Sequence, residues 1–248
     1  MRKNTKVAII SGGMGGIGKA IAIKLAKDGF RIFLLYHKSP KNEASSFLHS
    51  LSGSGHFGMS CDLTEEKEIR DVVMALEKQM ARVDICIHTA VSPLVRKRAS
   101  DIRSKDFREQ FEVTTFGGLN LFQAVIPIMK KQKQGRIIGL TTSAIMSEAP
   151  ISGMVGYLCA KGALQSLLHD LSLELSFHNI MVNAVAPSFV PTKLHRDLPE
   201  KVLSFIVDRT KTNTAEEVAE VVSFLCSEKA DTITGLSYPV GKKPPTKL

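Results

Sequence analysis

Seven short apolar runs, rich in β-branched residues, recur from one end of the chain to the other: Val7–Ser11, Arg31–Tyr36, His56–Cys61, Asp84–Thr89, Gly135–Thr141, Ile180–Ala186 and Leu236–Val240. A strand buried on both faces reads as a near-continuous apolar run, and a parallel sheet needs a crossover between successive strands. Amphipathic stretches supply those crossovers at Gly16–Lys27, Asn42–Leu51, Glu65–Met80, Lys105–Lys131, Met154–Phe177 and Ala215–Ser227. The alternation predicts an α/β fold, a doubly wound sheet of about seven parallel strands with helices on both faces.

Length and composition narrow this further. A chain of 248 residues, 44% hydrophobic and 23% charged, can bury one sizeable core. No Pro/Gly/Ser-rich linker divides it, so residues 1–248 read as a single domain. Within it, "PSFVPTKLHRDLPEKVLSFIVDRTKTN" (187–213) carries three prolines and weak periodicity and reads as a substrate-binding lid, while 241–248 is a basic tail. Thr64 before "EEKE" and Thr214 before "AEE" mark helix starts, and Pro127 predicts a kink or early stop in the long fourth helix.

The apolar run after "MRKNTK" is too short for a signal core, and no segment reaches the roughly 18 apolar residues of a membrane span. Cys61, Cys86, Cys159 and Cys226 are scattered through apolar stretches, as core thiols in a reducing, cytoplasmic setting would be. The seven histidines show no metal-ligand spacing, which argues against a metal site. A formal charge of +9 attracts anions, yet no aromatic-interleaved basic stripe points to nucleic acid. A phosphorylated cofactor or an acidic carrier protein would use that charge, as would a basic surface that serves solubility alone.

Directly after the first run comes "SGGMGGIG", Ser11 to Gly18, opening a helix. Glycines there let backbone N–H groups approach phosphates at the positive end of the helix dipole. Two registers fit, Gly13/Gly15/Gly18 as G-x-G-x-x-G and Gly12/Gly16/Gly18 as G-x-x-x-G-x-G. An NAD site would place an acid at the end of the second strand. Here "LLYHKSPK" has none between Leu34 and Asn42 and offers His37, Lys38 and Lys41, so NADP (NADPH) is expected over NAD.

Further along, "LTTSA" (140–144) precedes "GYLCAKGAL" (156–164), in which Tyr157 and Lys161 stand four apart and share one helix face. A free phenol titrates near pH 10, and a neighbouring ammonium would stabilise its phenolate. Tyr157 could then protonate the oxygen of a carbonyl that receives hydride, with Lys161 supplying the charge or holding ribose hydroxyls.

With "SGGMGGIG", "CDLT" (61–64), "GRIIGLTTS", "YLCAK", "NIMVNAVAPSFVPT" and "TAEEVAEVVSFLCSEKADTITG" in this order and spacing, the chain resembles the short-chain dehydrogenase/reductase family over essentially its whole length, in particular 3-oxoacyl-acyl-carrier-protein reductases. The resemblance implies a Rossmann-type fold, NADPH-dependent reduction of a carbonyl carried on acyl carrier protein, and a homo-oligomer, tetramer or dimer. It implies catalytic roles for Tyr157 and Lys161, with a hydroxyl donor at Thr142 or, alternatively, Ser143. It places Asp62 and Leu63 beside the adenine, Ala90 beside the cofactor ribose and Thr192 near the nicotinamide carboxamide. Gly12, Met14, Gly16, Ile17, Gly18, Tyr36, His37, Lys38, Pro187 and Val190 would complete the cofactor contacts. Lys130, Lys131, Lys133 and His178 fall where such reductases present basic residues to the carrier.

The chain departs from the family pattern at several places. "NNAG" is here "HTAV" (88–91), the asparagine of the proton relay is Thr114, the "PG" after the sixth strand is Pro187–Ser188, and Gly15 stands where a basic residue often lies. These departures make a catalytically weakened, cofactor-binding subunit the alternative, along with a reductase of another small ketone. An enoyl reductase arrangement, with six residues between tyrosine and lysine, would put the tyrosine at position 154, which is Met154.

Overall fold

The computed structural model describes residues 5–146, 153–196, 198, 200–201 and 212–241. Its seven strands are β1 (Val7–Ser11), β2 (Arg31–Tyr36), β3 (Phe57–Ser60), β4 (Ile85–His88), β5 (Gly135–Leu140), β6 (Ile180–Pro187) and β7 (Ser237–Val240). They form one sheet in the order β3-β2-β1-β4-β5-β6-β7, and every pairing is parallel. The helices are α1 (Gly16–Lys27), α2 (Lys41–Ser50), α3 (Glu66–Gln79), α4 (Ser104–Phe111), α5 (Gly117–Gln132), α6 (Val155–Leu175) and α7 (Ala215–Cys226). Predicted and observed strands agree to within a residue or two.

Successive strand residues point to opposite faces, and both faces are covered. Val7, Ile9, Phe33, Leu35, Cys86, Ile137 and Val182 therefore join one apolar cluster with α3, α5 and α6. Ala8, Ile10, Ile32, Leu34, Ile85, Ile87 and Ile138 join the other with α1, α2 and α7. This two-sided burial is why the strands carry no alternation. The edge strands β3 and β7 are more exposed.

Three local expectations are corrected. The long fourth helix is α4 and α5 joined by a π turn over Glu112–Phe116, where the Gly117 N–H donates five residues back to the Glu112 carbonyl. Pro127 neither ends α5 nor coincides with that turn. It lies on the solvent face with Gln123, whose carbonyl loses its intrahelical donor at a place where water can replace it. Thr64 does not cap α3: its hydroxyl donates to Asp62 Oδ1 (2.8 Å) and Glu65 takes the N-cap position. Thr214, by contrast, forms a full capping box with Glu217 at α7. Cys61, Cys86 and Cys226 are core thiols, but Cys159 is exposed, because it projects from the outer face of α6.

In the segment 187–213, Pro187 ends β6, Val190 is buried and Lys193–His195 forms a 3-10 turn. Residues 197, 199 and 202–211 of the expected lid, and 242–248 of the basic tail, lie outside the described residues. Among the described residues no helix is long and apolar enough to cross a membrane.

Candidate active site

In a sheet ordered 3-2-1-4-5-6-7 the chain winds outward in two directions from β1 and β4, which opens a crevice above their C-terminal ends. The predicted site residues lie past those strand ends or on helices packed beside them. Gly12, Met14, Gly16, Ile17 and Gly18 follow β1; Tyr36, His37 and Lys38 end or follow β2; Asp62 and Leu63 follow β3; Ala90 follows β4. Thr142 and Ser143 follow β5, Pro187, Val190 and Thr192 end or follow β6, Tyr157 and Lys161 stand on α6, and Thr114 sits in the π turn.

The glycine-rich turn is built for close approach. Gly12 has φ +66°, and a Cβ there would lie 2.8 Å from the Ala90 backbone. A Cβ on Gly18 would lie 2.4 Å from the Gly12 carbonyl oxygen, so the helix can start against the turn only without one. Gly15 caps α1 with no side-chain hydrogen bond, and no acid occupies the first turn. The leading N–H groups thus face the crevice without a competing carboxylate, which suits a phosphate. A cavity of about 690 Å³ adjoins this turn, lined among others by Gly16, Thr192, Lys193 and Thr214. These features fit a dinucleotide: the turn would hold its pyrophosphate, Asp62 and Leu63 its adenine, and Thr192 its nicotinamide end.

Past the ends of β2 and β3, His37 Nε2 lies 3.8 Å from Asp62 Oδ2. Burial pushes the Asp62 carboxyl up, but hydrogen bonds from the Thr64 N–H and hydroxyl and the positive charges of His37 and Lys38 outweigh it, so its pKa is lowered. Glu68 closes the loop by accepting the Asp62 N–H (2.6 Å). Asn120 donates to the Leu63 carbonyl (2.9 Å) and so supports this loop rather than the lysine.

Past the end of β5 stands Thr142, and α6 carries Tyr157 and Lys161. Lys161 is buried, and its ammonium donates to the Leu140 carbonyl at the end of β5. Loss of water lowers its pKa to about 7. Tyr157 is partly exposed as a residue, while burial of its phenolic end raises its pKa to about 12; an interaction with the Thr142 hydroxyl opposes that rise. The hydroxyl interacting with Tyr157 is thus that of Thr142, while Ser143 opens the 3-10 turn Ser143–Met146. The phenol, expected to be acidified by Lys161, instead has its pKa raised, because burial of the hydroxyl outweighs the interaction with Thr142; Lys161 Nζ lies 5.9 Å from the ring centroid and donates to Leu140. A phenol with a raised pKa is fully protonated at neutral pH, the state a proton donor needs.

Thr114 enters differently from expectation. Its hydroxyl is buried without a hydrogen-bond partner, and its carbonyl oxygen meets His88 Nε2 at 3.0 Å. His88 and Ser11, which the residue pattern alone left without a role, face each other across β1 and β4, and their side chains hydrogen-bond (2.8 Å). The available signal was a polar residue closing each of two otherwise apolar runs. A further neighbour is Arg96, which reaches Met154 Sδ (3.2 Å) and His195 Nδ1 (3.0 Å), and Lys97 bridges to Met154, three residues before Tyr157.

Against known proteins, a family model described as Enoyl-(Acyl carrier protein) reductase matches residues 12–241. The chain is 29% identical over 242 residues to the 3-oxoacyl-[acyl-carrier-protein] reductase FabG of Thermotoga maritima, covering 95% of this chain and 96% of that protein. The crystal structure of gox2181 superposes with a TM-score of 0.86 at 28% identity, covering 96% of this chain and 95% of that one. The 3-ketoacyl-(acyl-carrier-protein) reductase of Brucella melitensis, complexed with NADH, has the same fold, with a TM-score of 0.87 at 23% identity over 95% of this chain and 96% of that one. The chain belongs to the short-chain dehydrogenase/reductase family and is an NAD(P)-dependent oxidoreductase.

Proposed function

We propose that the protein is a cytoplasmic NADPH-dependent carbonyl reductase acting on a 3-oxoacyl thioester carried by acyl carrier protein. The reading rests above all on the convergence of Thr142, Tyr157 and Lys161 past the end of β5, on the same C-terminal side of the sheet as the glycine-rich turn that starts α1. When bound, the nicotinamide supplies the hydride for the carbonyl carbon. Tyr157 holds a proton at its hydroxyl and passes it to the substrate oxygen, and Thr142 donates a hydrogen bond to the same oxygen. Lys161, with a pKa near neutrality and one turn along the same helix face, is the cation from which the proton that Tyr157 gives up can be restored. The described part of 187–213, with Thr192 against Gly16, supports a pocket wall over the reacting end.

His37 and Lys38 stand past the end of β2 beside Asp62; although that carboxylate is near, the Lys38 ammonium supports a site there for a 2′-phosphate. NADPH should therefore bind more tightly than NADH by about tenfold, roughly one charge-assisted contact, in a fluorescence titration. Equal affinities would remove NADP preference. Lys130, Lys131, Lys133 and His178 make a basic rim for an acidic carrier, although Lys130 already pairs with Glu174 (3.2 Å). Exposed apolar residues, among them Phe116 in the π turn and Leu173 on α6, support a homo-oligomer.

The direct test is NADPH oxidation with a short 3-oxoacyl thioester. Activity is expected, and Tyr157→Phe should lower kcat by about 10³-fold or more while cofactor binding persists. Turnover insensitive to that change would overturn the mechanism. The unpartnered Thr114 hydroxyl, where the family pattern has an amide, favours one second reading, a cofactor-binding subunit with weakened catalysis. Tight NADPH binding without turnover would select it.

A further inference from the structure

One ionisable side chain at the winding-reversal point is enclosed with both ring nitrogens engaged. His88 ends β4 and is fully buried. Its Nε2 meets the Thr114 carbonyl oxygen at 3.0 Å, and its Nδ1 meets Ser11 Oγ at 2.8 Å. A carbonyl oxygen can only accept, so Nε2 carries the hydrogen of a neutral ring, and the Ser11 hydroxyl then donates to bare Nδ1. Burial keeps the ring neutral by lowering its pKa to about 3, and the nearby charge of Lys161 acts in the same direction.

The surroundings are shaped to this ring. A Cβ on Gly118 would lie 3.1 Å from His88 Cδ2, and Phe122 meets the ring edge-on with centroids 5.9 Å apart. The imidazole therefore spans two functional segments. At one end stands Ser11, the last residue before the glycine-rich turn. At the other stands the π turn, whose next residue, Thr115, donates through Oγ1 to the Ala160 carbonyl (3.0 Å), immediately before Lys161. Because the Thr114 hydroxyl has no partner, the tie from the π turn back to the sheet at this residue runs through its main-chain carbonyl.

We propose that His88 is a positioning residue: as its Nε2–H tautomer it braces the π turn against β1 and β4, and through Thr115 and Ala160 it sets Lys161 under the end of β5. The brace itself does not depend on any substrate; its effect on turnover rests on the reductase reading above. A variant that keeps a donor where Nε2 stood should keep the brace, and one that keeps only the ring should lose it.

The experiment compares His88→Gln, whose amide nitrogen can take the Nε2 position, with His88→Phe, which fills the space and bonds to nothing. His88→Phe is expected to lower kcat by about tenfold or more while the cofactor KM changes by less than about threefold, and His88→Gln to retain kcat within about threefold. Equal losses in both variants, or full activity in His88→Phe, would overturn the proposal. Two measurements stand apart from turnover. In the wild-type protein, ¹⁵N imidazole resonances should report a hydrogen on Nε2 and none on Nδ1, unchanged from pH 8 to pH 5; the opposite tautomer or a titrating ring would overturn it. The Lys161 ammonium titration, followed by NMR without substrate, should move in His88→Phe and not in His88→Gln. An unmoved midpoint in His88→Phe would refute the brace even in an active enzyme, and a moved one would support it even if the thioester proves not to be the substrate.

Discussion

The two edges of the sheet bury polar and charged groups in opposite manners. At the N-terminal edge Asp84 accepts the Val7 N–H (2.8 Å) and two bonds from Arg82 (2.8 and 2.6 Å). Arg136 there donates to the Leu225 and Ala230 carbonyls (3.1 and 3.0 Å) and pairs with Asp231. At the C-terminal edge the Lys161 ammonium donates to a strand-end carbonyl and has its pKa lowered, Tyr157 has its pKa raised, and the Thr114 hydroxyl has no partner. A buried charge that is fully answered locks the register of the elements around it. One left partly answered remains free to exchange protons and bind, at a cost in stability. The first edge holds the sheet together, and the second carries the groups of the proposed chemistry.

The contrast can be broken most forcefully at Asp84. Asp84→Asn removes a buried charge facing a guanidinium and an N–H, and should cost about 3–5 kcal/mol in urea unfolding, with kcat per folded molecule unchanged. A large loss of kcat with little loss of stability would erase the distinction between the edges. Thr142→Ala should do the reverse, lowering kcat by about 10²–10³-fold, or roughly 3–4 kcal/mol of barrier, while leaving the melting temperature within a few degrees. A variant that melts early and turns over normally would place Thr142 with the structural groups.

The smallest effect sharpens the comparison through pH. Lys161→Met should abolish turnover yet stabilise the fold by about 1–3 kcal/mol at pH 6, since a buried ammonium is replaced by an apolar chain of similar length. The sign follows from linkage. With the folded value near 7 and the unfolded value near 10.4, the unfolded chain binds the extra proton between these limits, so wild-type stability from this group rises with pH across that window. The advantage of Lys161→Met should accordingly be full below pH 7 and fade towards pH 10. A constant advantage, measured by denaturation at several pH values, would mean that Lys161 does not titrate in the fold as described.

Much of this architecture was readable before any coordinates. β1 is buried at all five positions and carries no polar alternation, and that continuous run already required helices on both faces. The glycines at 12 and 18 were legible because a tight turn and close helix start admit nothing larger. That Tyr157 and Lys161 share one face followed from helix geometry, and their joint role from the family resemblance. Less legible was the π turn at Glu112–Phe116, since one extra residue in a helix leaves its apolar periodicity nearly intact. The direction of the Tyr157 shift was missed for another reason: spacing shows that two groups share a face, but not how much water each has lost.

The order of residues along the chain was enough to determine a parallel, doubly wound sheet with a glycine-rich turn after its first strand and a tyrosine–lysine pair on a later helix, because periodicity and glycine sterics are local properties. Only the tertiary structure decided that Thr142 rather than Ser143 meets the phenol, that Asn120 serves Leu63, and that His88 stands between Ser11 and Thr114. Those outcomes depend on strand register and on which groups are cut off from solvent, and both are set by contacts between segments tens of residues apart.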